Sequence, residues 1–294
     1  MFEKVNPQHP DKVADRIAGA LVDIAYTRAD GGWLKSSPRI AVEVLIGHGT
    51  ASVIVETSVS RQELTTRDIE ETVKRICPSI QLVRGLIVPQ DVYLSMNQQE
   101  ELRVGDNGIF KGYPVTDEQR TLTAIAREIY EQYKTDGKYI IRRNGGHYEA
   151  VVCQSYMKSE DEGSLREHLM KEHDIAKSIV NPLGEWTGGT DVDTGATNRK
   201  LGSDMGDAVT GGGLHGKDLS KADVSVNIVC HIKAQASKQV VTACTAIGDS
   251  EVNFVYDDGR VDSMPFSSVV QQARLYIMTQ FGSFEKFAEW GLIV

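Results

Sequence analysis

Apolar positions along the chain switch between a helical and an alternating period, and the switches delimit its elements. Residues 9–28, HPDKVADRIAGALVDIAYTR, place Val13, Ile17, Leu21 and Ile24 on one face with Pro10 in the first turn, which predicts a helix. His9 and Asp11 then stand at the positive end of that helix with Lys12 beside them, a place for anion or metal contacts. Alternation predicts strands over Arg39–Ile46 and Ala51–Ser58, joined at Gly47-His48-Gly49 as a hairpin. Thr65 and Asp68 form a capping box for a helix through Arg75, and strands follow over Ile80–Val88 and Val92–Met96. Asp117–Tyr133 aligns Leu122, Ile125, Ile129 and Tyr133 as a helix, and Asn144-Gly145-Gly146 turns a hairpin between Tyr139–Arg143 and Tyr148–Tyr156. The last third predicts a helix from Ser220 to about Ala236, strands near Val240–Ile247 and Val252–Tyr256, and a helix over Phe266–Phe281. Hairpins interrupted by single helices make an α+β chain, with helices laid on mainly antiparallel sheets.

One stretch departs from this rhythm. Ten of the 27 glycines fall between Gly184 and Gly216, and Asp191, Asp193, Arg199, Lys200, Lys217, Asp218, Lys221 and Asp223 are threaded through or just after them. Glycine serves where backbone must take positive φ or approach a partner closely. Cations and carboxylates on such a loop suit a polyphosphate with its metal ion. Gly211–Lys217 fits the spacing of a phosphate-binding P-loop, but Asp218 stands where that motif needs Ser or Thr, and no apolar strand precedes it.

A net charge of −9 argues against a nucleic-acid coat, so a polyanion would be met by a local cationic pocket. The four cysteines, Cys77, Cys153, Cys230 and Cys244, are far apart in apolar segments and read as reduced core residues. No apolar run reaches membrane-spanning length and Met1 is followed by charge, so the expected location is the cytoplasm.

Several short motifs, in order, resemble those of the methionine adenosyltransferase (S-adenosylmethionine synthetase) family. Gln8-His9-Pro10-Asp11-Lys12 is similar to that family's GHPDK, Ala41-Val42-Glu43 to its ACE, and Glu56 falls in the position of GEIT. Gly105–Tyr113 resembles GDQGLMFGY and Asp136-Gly137-Lys138 resembles DAK. Gly188–Lys200 matches GGPMGDCGLTGRK without a gap, and Gly211–Asp223 matches GGGAFSGKDPSKVD with one residue lost. The resemblance runs from Glu3 to Asp223 and marks a short, divergent member of the family.

It implies one catalytic unit over residues 1–294, built of three similar, interleaved α+β subdomains of mainly antiparallel sheet about a pseudo-threefold axis. It also implies an enzyme that joins ATP to L-methionine and hydrolyses the released tripolyphosphate to phosphate and pyrophosphate, with two Mg2+ and one K+. By the same resemblance His9 contacts the oxygen at C5′ or the triphosphate beside it. Lys138, Arg199, Lys200, Lys217 and Lys221 clamp phosphates or orient the substrates. Asp11 and Asp223 hold magnesium, Glu43 holds potassium, and Glu56, Gln98, Asp106, Asp136 and Asp193 bind substrate. The implied assembly is a homodimer with the active site at its interface, or a dimer of such dimers.

The chain also departs from the family. Pro7-Gln8 replaces Glu-Gly before the histidine, Glu185-Trp186 replaces Arg-Phe, and Gln98–Leu102 replaces QSPDI. Leu102 reaches Gly105 within three residues, which leaves out the family's gating loop. A tripolyphosphatase, an adenosyltransferase for another thioether, and a non-catalytic homologue are the alternatives on the same scaffold.

Overall fold

A computed structural model describes residues 1–35, 38–79, 92–98, 107–205, 219, 222–246 and 249–294. The strand expected over Ile80–Val88 and the turn around Asp106 lie outside them. The chain begins β1 (Phe2–Val5), α1 (Pro10–Arg28), α2 (Gly32–Lys35), β2 (Ile40–Gly47), β3 (Thr50–Thr57), α3 (Thr66–Ile76), β4 (Val92–Gln98) and β5 (Asn107–Gly112). It continues α4 (Asp117–Tyr133), β6 (Gly137–Asn144), β7 (His147–Gln154), α5 (Glu162–His173), β8 (Ile175–Val180), β9 (Thr194–Ala196) and α6 (Leu201–Met205). It ends α7 (Ala222–Ser237), β10 (Val241–Ala246), β11 (Glu251–Tyr256), β12 (Val261–Pro265), α8 (Phe266–Gln280) and α9 (Phe284–Trp290).

These elements repeat one plan. Each of three sheets is four strands wide, in the orders β9-β2-β3-β4, β1-β6-β7-β8 and β5-β10-β11-β12. A hairpin forms the middle of each, and a strand from elsewhere in the chain pairs antiparallel with its first arm. In two sheets a helix then carries the chain across to a parallel fourth strand: β3-α3-β4 and β7-α5-β8. The third sheet closes with the antiparallel β12 instead. The lent strands β1, β5 and β9 interleave the units, so the α+β expectation stands with parallel pairs at two edges. The predicted capping box stands, with Thr65 and Asp68 capping α3 reciprocally, and Thr116 and Gln119 form a second one on α4 that sequence reasoning missed.

Each sheet is covered on one face only. Tyr139, Ile141 and Val152 pack under Leu122, Ile125 and Ile129 of α4 and Leu165 and Leu169 of α5. A larger core joins α1, α7 and the inward residues of the β2–β3 and β10–β11 hairpins, with Phe284 and Phe287 of α9. The opposite sheet faces carry exposed Leu45, Ile54, Ile109, Ile140, Ile179 and Val255. Among the cysteines Cys77 and Cys230 are buried as expected, whereas Cys153 is half-buried and Cys244 is exposed on β10; all four are free thiols. Cys244 is exposed because its strand position points to the uncovered face.

Helix α1 is buried almost all round, including its polar first turn. Lys12 is fully buried, with its ammonium 2.6 Å from Oδ2 of the buried Asp204 in α6. Its expected role beside His9 is therefore corrected: Lys12 ties α1 to α6 and meets no solvent. Burial makes such a pair costly to form and more costly to break, since one lone charge would remain in low dielectric. Lys12→Met is expected to lose about 3–5 kcal/mol of stability in denaturant unfolding. Lys12→Met with Asp204→Leu should recover most of it, and equal losses in both variants would show that the pair does not anchor the helix.

Candidate active site

Two crossings of the chain between the β6–β7 and β2–β3 sheets build the site. Strand β1 lies in the first sheet and leads into α1, which covers the second; the segment from β8 to β9 makes the same passage again, later in the chain. They touch where β9 passes the first turn of α1. A side chain at Gly195 would place its Cβ 2.2 Å from the Pro10 carbonyl carbon, so only glycine permits this approach. The α1 carboxylates complete the seat: Asp11 Oδ1 accepts from Ala196 N–H at 2.9 Å, and Asp15 Oδ1 accepts from Asn198 N–H at 2.8 Å.

This seating fixes the positions of the cations that come next in the chain. The Arg199 guanidinium stands 3.6 Å from Asp11 Oδ1 and the Lys200 ammonium 3.3 Å from Asp11 Oδ2. From the facing sheet, Lys138 of β6 points to the uncovered side and its ammonium lies 3.8 Å from Asp193 Oδ2. Asp136, just before β6, is buried and accepts from Gly189 N–H at 3.1 Å, where Gly189 takes a φ of 91°. Its second oxygen, Oδ1, is buried without a hydrogen-bond partner among the described residues.

The two titratable groups at the centre respond to burial. Burial pushes Asp136 up to about 6, although the Gly189 amide and Lys138 pull the other way. Burial pushes His9 down to about 4 against the pull of Asp11, and Lys138 and Lys200 add to the push. His9 is thus a neutral imidazole at neutral pH. Its Nδ1 accepts the Asp11 N–H at 3.2 Å as the helix cap, which puts the ring proton on Nε2 as a neutral donor.

Seven of the expected residues therefore meet: His9, Asp11, Asp136, Lys138, Asp193, Arg199 and Lys200. Glu43 joins the edge of this group, its Oε2 accepting a short hydrogen bond from Thr197 Oγ1. Glu56 shares the uncovered face of the same sheet with Glu43, in register with Ala41, and Gln98 ends β4 opposite Thr57. Lys217, Lys221 and Asp106 lie outside the described residues, and of Asp223 only its place at the start of α7 is described.

Sequence reasoning missed a neighbour. Beside Lys138 lies an open cavity of about 330 Å3, lined also by Cys153, Asn181, Pro182, Leu183 and Trp186. The Trp186 indole N–H donates to Asn181 Oδ1 at 3.3 Å, leaving the ring as a wall. Its position, two residues before Gly188-Gly189, was the signal. Glu185 turns away from the site: its carboxylate pairs with Lys158 at 3.1 Å and accepts the Ser159 N–H, so it puts no anion beside Trp186.

No protein-family model matches this chain. Curated relatives do: S-adenosylmethionine synthase 1 of Rhodopseudomonas palustris is 27% identical over 88% of this chain and 78% of its own. The S-adenosylmethionine synthase of Acholeplasma laidlawii is 28% identical over 96% of this chain and 81% of its own. An S-adenosylmethionine synthetase of Campylobacter jejuni, described as unusual, shares the fold with a TM-score of 0.70 at 21% identity, covering 99% of this chain and 94% of that one. Motifs in order, relatives aligned along most of both chains and a shared fold make this protein similar to the S-adenosylmethionine synthetases, at the distance of a divergent relative.

Proposed function

We propose that the protein makes S-adenosylmethionine from ATP and L-methionine and then hydrolyses the tripolyphosphate to phosphate and pyrophosphate. The observation that carries this reading is the convergence of Lys138, Arg199 and Lys200 with a neutral His9 at one helix N-terminus. Nothing in the cluster resembles an activated nucleophile, and the reaction needs none. A thioether sulfur attacks C5′ with its lone pair and has no proton to lose. The barrier lies in the departing triphosphate, whose growing charge is stabilised by cations held in place beforehand. His9 Nε2–H offers the oxygen at C5′ a donor without adding a proton to be lost. The Trp186 wall suits the face of adenine, with Lys138 at the phosphate side of the same cavity.

Charge balance tests whether metal ions fit. Three described cations (Lys138, Arg199, Lys200) face three carboxylates (Asp11, Asp136, Asp193), so the cluster is close to neutral before a polyphosphate arrives. Mg2+ takes one or two carboxylates together with phosphate oxygens. Asp11 and the open Oδ1 of Asp136 match that donor set, and the motif resemblance assigns Asp223 to it. When bound, the two ions neutralise charge gathering on the leaving phosphates. Glu43, half-buried beside Thr197, supplies the hard oxygen that K+ takes.

Glu56, Gln98 and Asp193 bind methionine in this account, Asp106 positions its amino group or the adenosine, and Lys217 and Lys221 complete the phosphate clamp. The uncovered sheet faces, with Leu45 60% and Ile109 64% exposed, are the surfaces for a homodimer that closes the site.

Incubation with ATP, methionine, Mg2+ and K+ should yield S-adenosylmethionine by chromatography. Lys138→Ala and Asp193→Ala, both at half-exposed positions, are each expected to lower kcat by about 10²–10³-fold while the dimer persists. Full activity in both would remove the assignment, and phosphate release without S-adenosylmethionine would make the protein a phosphatase instead.

Asp136 sets a pH dependence. With its folded value raised from 3.8 to about 6, the native state holds the extra proton between those values, so stability falls as pH rises through that window. Asp136→Asn should gain stability relative to the parent as pH goes from about 4 to about 7, and should lose activity. In the parent kcat/KM should fall below about pH 6, with no limb from His9 above pH 5. A parallel stability profile for Asp136→Asn would contradict the assignment.

A further inference from the structure

On the helical side of the β6–β7 sheet, opposite Lys138, α4 and α5 bring together Glu128, His168 and His173. Both histidine Nε2 atoms point at one carboxylate oxygen, Glu128 Oε2, at 2.8 and 2.7 Å. The three donor atoms lie within 4.8 Å of one another, and the two rings meet edge to face with centroids 5.9 Å apart. Positions five apart on a helix lie about 140° round its axis, so one helix face does not bring these rings together. They converge because His173 ends α5, just before Asp174 turns the chain at a φ of 53°.

We propose that Glu128, His168 and His173 form a site for a divalent transition metal of the zinc type, which clasps α5 to α4. Two imidazoles and a carboxylate are a donor set for Zn2+ and its neighbours, whereas Mg2+ prefers oxygen alone. Donor atoms around tetrahedral zinc stand about 3.3 Å apart, so each histidine needs to move from Glu128 Oε2 by only about half an ångström. Glu128 and His168 are each 46% exposed and free to swing that far. Binding requires both ring protons on Nδ1, leaving the Nε2 lone pairs for the ion. Three protein ligands leave a fourth position for water or a small anion. Glu128 and His168 also line an adjoining groove of about 480 Å3, with Gln132, Tyr133, Ser164 and Leu165. The clasp is separate from the synthetase chemistry and does not depend on it.

The test uses untagged, chelator-stripped protein in millimolar Mg2+, which fills the oxygen sites first. A Cys244→Ser background removes the exposed thiol. Zn2+ titrated by calorimetry should bind once per chain at micromolar concentration or tighter, and Co2+ should give a tetrahedral absorption spectrum. A hundredfold excess of Zn2+ over its Kd should raise Tm by about 5 °C. His168→Ala and Glu128→Gln should each weaken binding at least about 100-fold with unchanged circular dichroism, while Lys138→Ala leaves it intact. No binding at micromolar Zn2+, binding unaltered by the first two substitutions, or binding lost in Lys138→Ala would each overturn the proposal.

Discussion

The architecture of the site depends on backbone N–H groups of β9 and its continuation being held by carboxylates on α1. Asp11 takes the amide of Ala196 and Asp15 that of Asn198, and the missing Cβ of Gly195 lets the strand lie against Pro10. A hydrogen bond to a charged group contributes about 1.5–3 kcal/mol, so two of them can hold a three-residue strand that buries little apolar surface. Their directional effect is larger than their energetic one. They set Asp193 on one side of the seat and Arg199 and Lys200 on the other, opposite Lys138 from a different sheet. Helix α1 can bear this load because the buried Lys12–Asp204 pair and its apolar flank fix its position.

The same seat explains how a chain of net charge −9 presents a place for polyphosphate. Cations and carboxylates are equal in number, with Arg199 and Lys200 sharing Asp11 and Lys138 facing Asp193, and burial keeps His9 uncharged. Asp136 is held partly desolvated with one oxygen open, at a cost in stability near neutral pH. Such a group is useful only if something arrives to meet it.

Much of this was legible in the letters. The Thr65–Asp68 capping box, the Asn144-Gly145-Gly146 hairpin and the long apolar stripes of α1 and α4 announce themselves, because local chemistry decides those elements. The helix and strand from Glu162 to Val180 did not, since Leu165 and Leu169 are the only residues of α5 that are buried and β8 is an edge strand. Three-residue β9 and four-residue β1 are strands only because other strands receive them. Among site residues, resemblance located those that lie within short motifs. It could not separate Lys12, which is buried, from its neighbours His9 and Asp11. Nor could it find Trp186 as a cavity wall, or Glu128 with two histidines 40 and 45 residues away.

The central claim is that close seating of Gly195 on α1 organises the phosphate-binding cations. Calorimetric titration of tripolyphosphate, with Mg2+ present, into the parent protein and Gly195→Ala tests it directly. The predicted result is affinity at least tenfold weaker in the variant, with secondary structure unchanged. Equal affinity in a folded Gly195→Ala protein would contradict it.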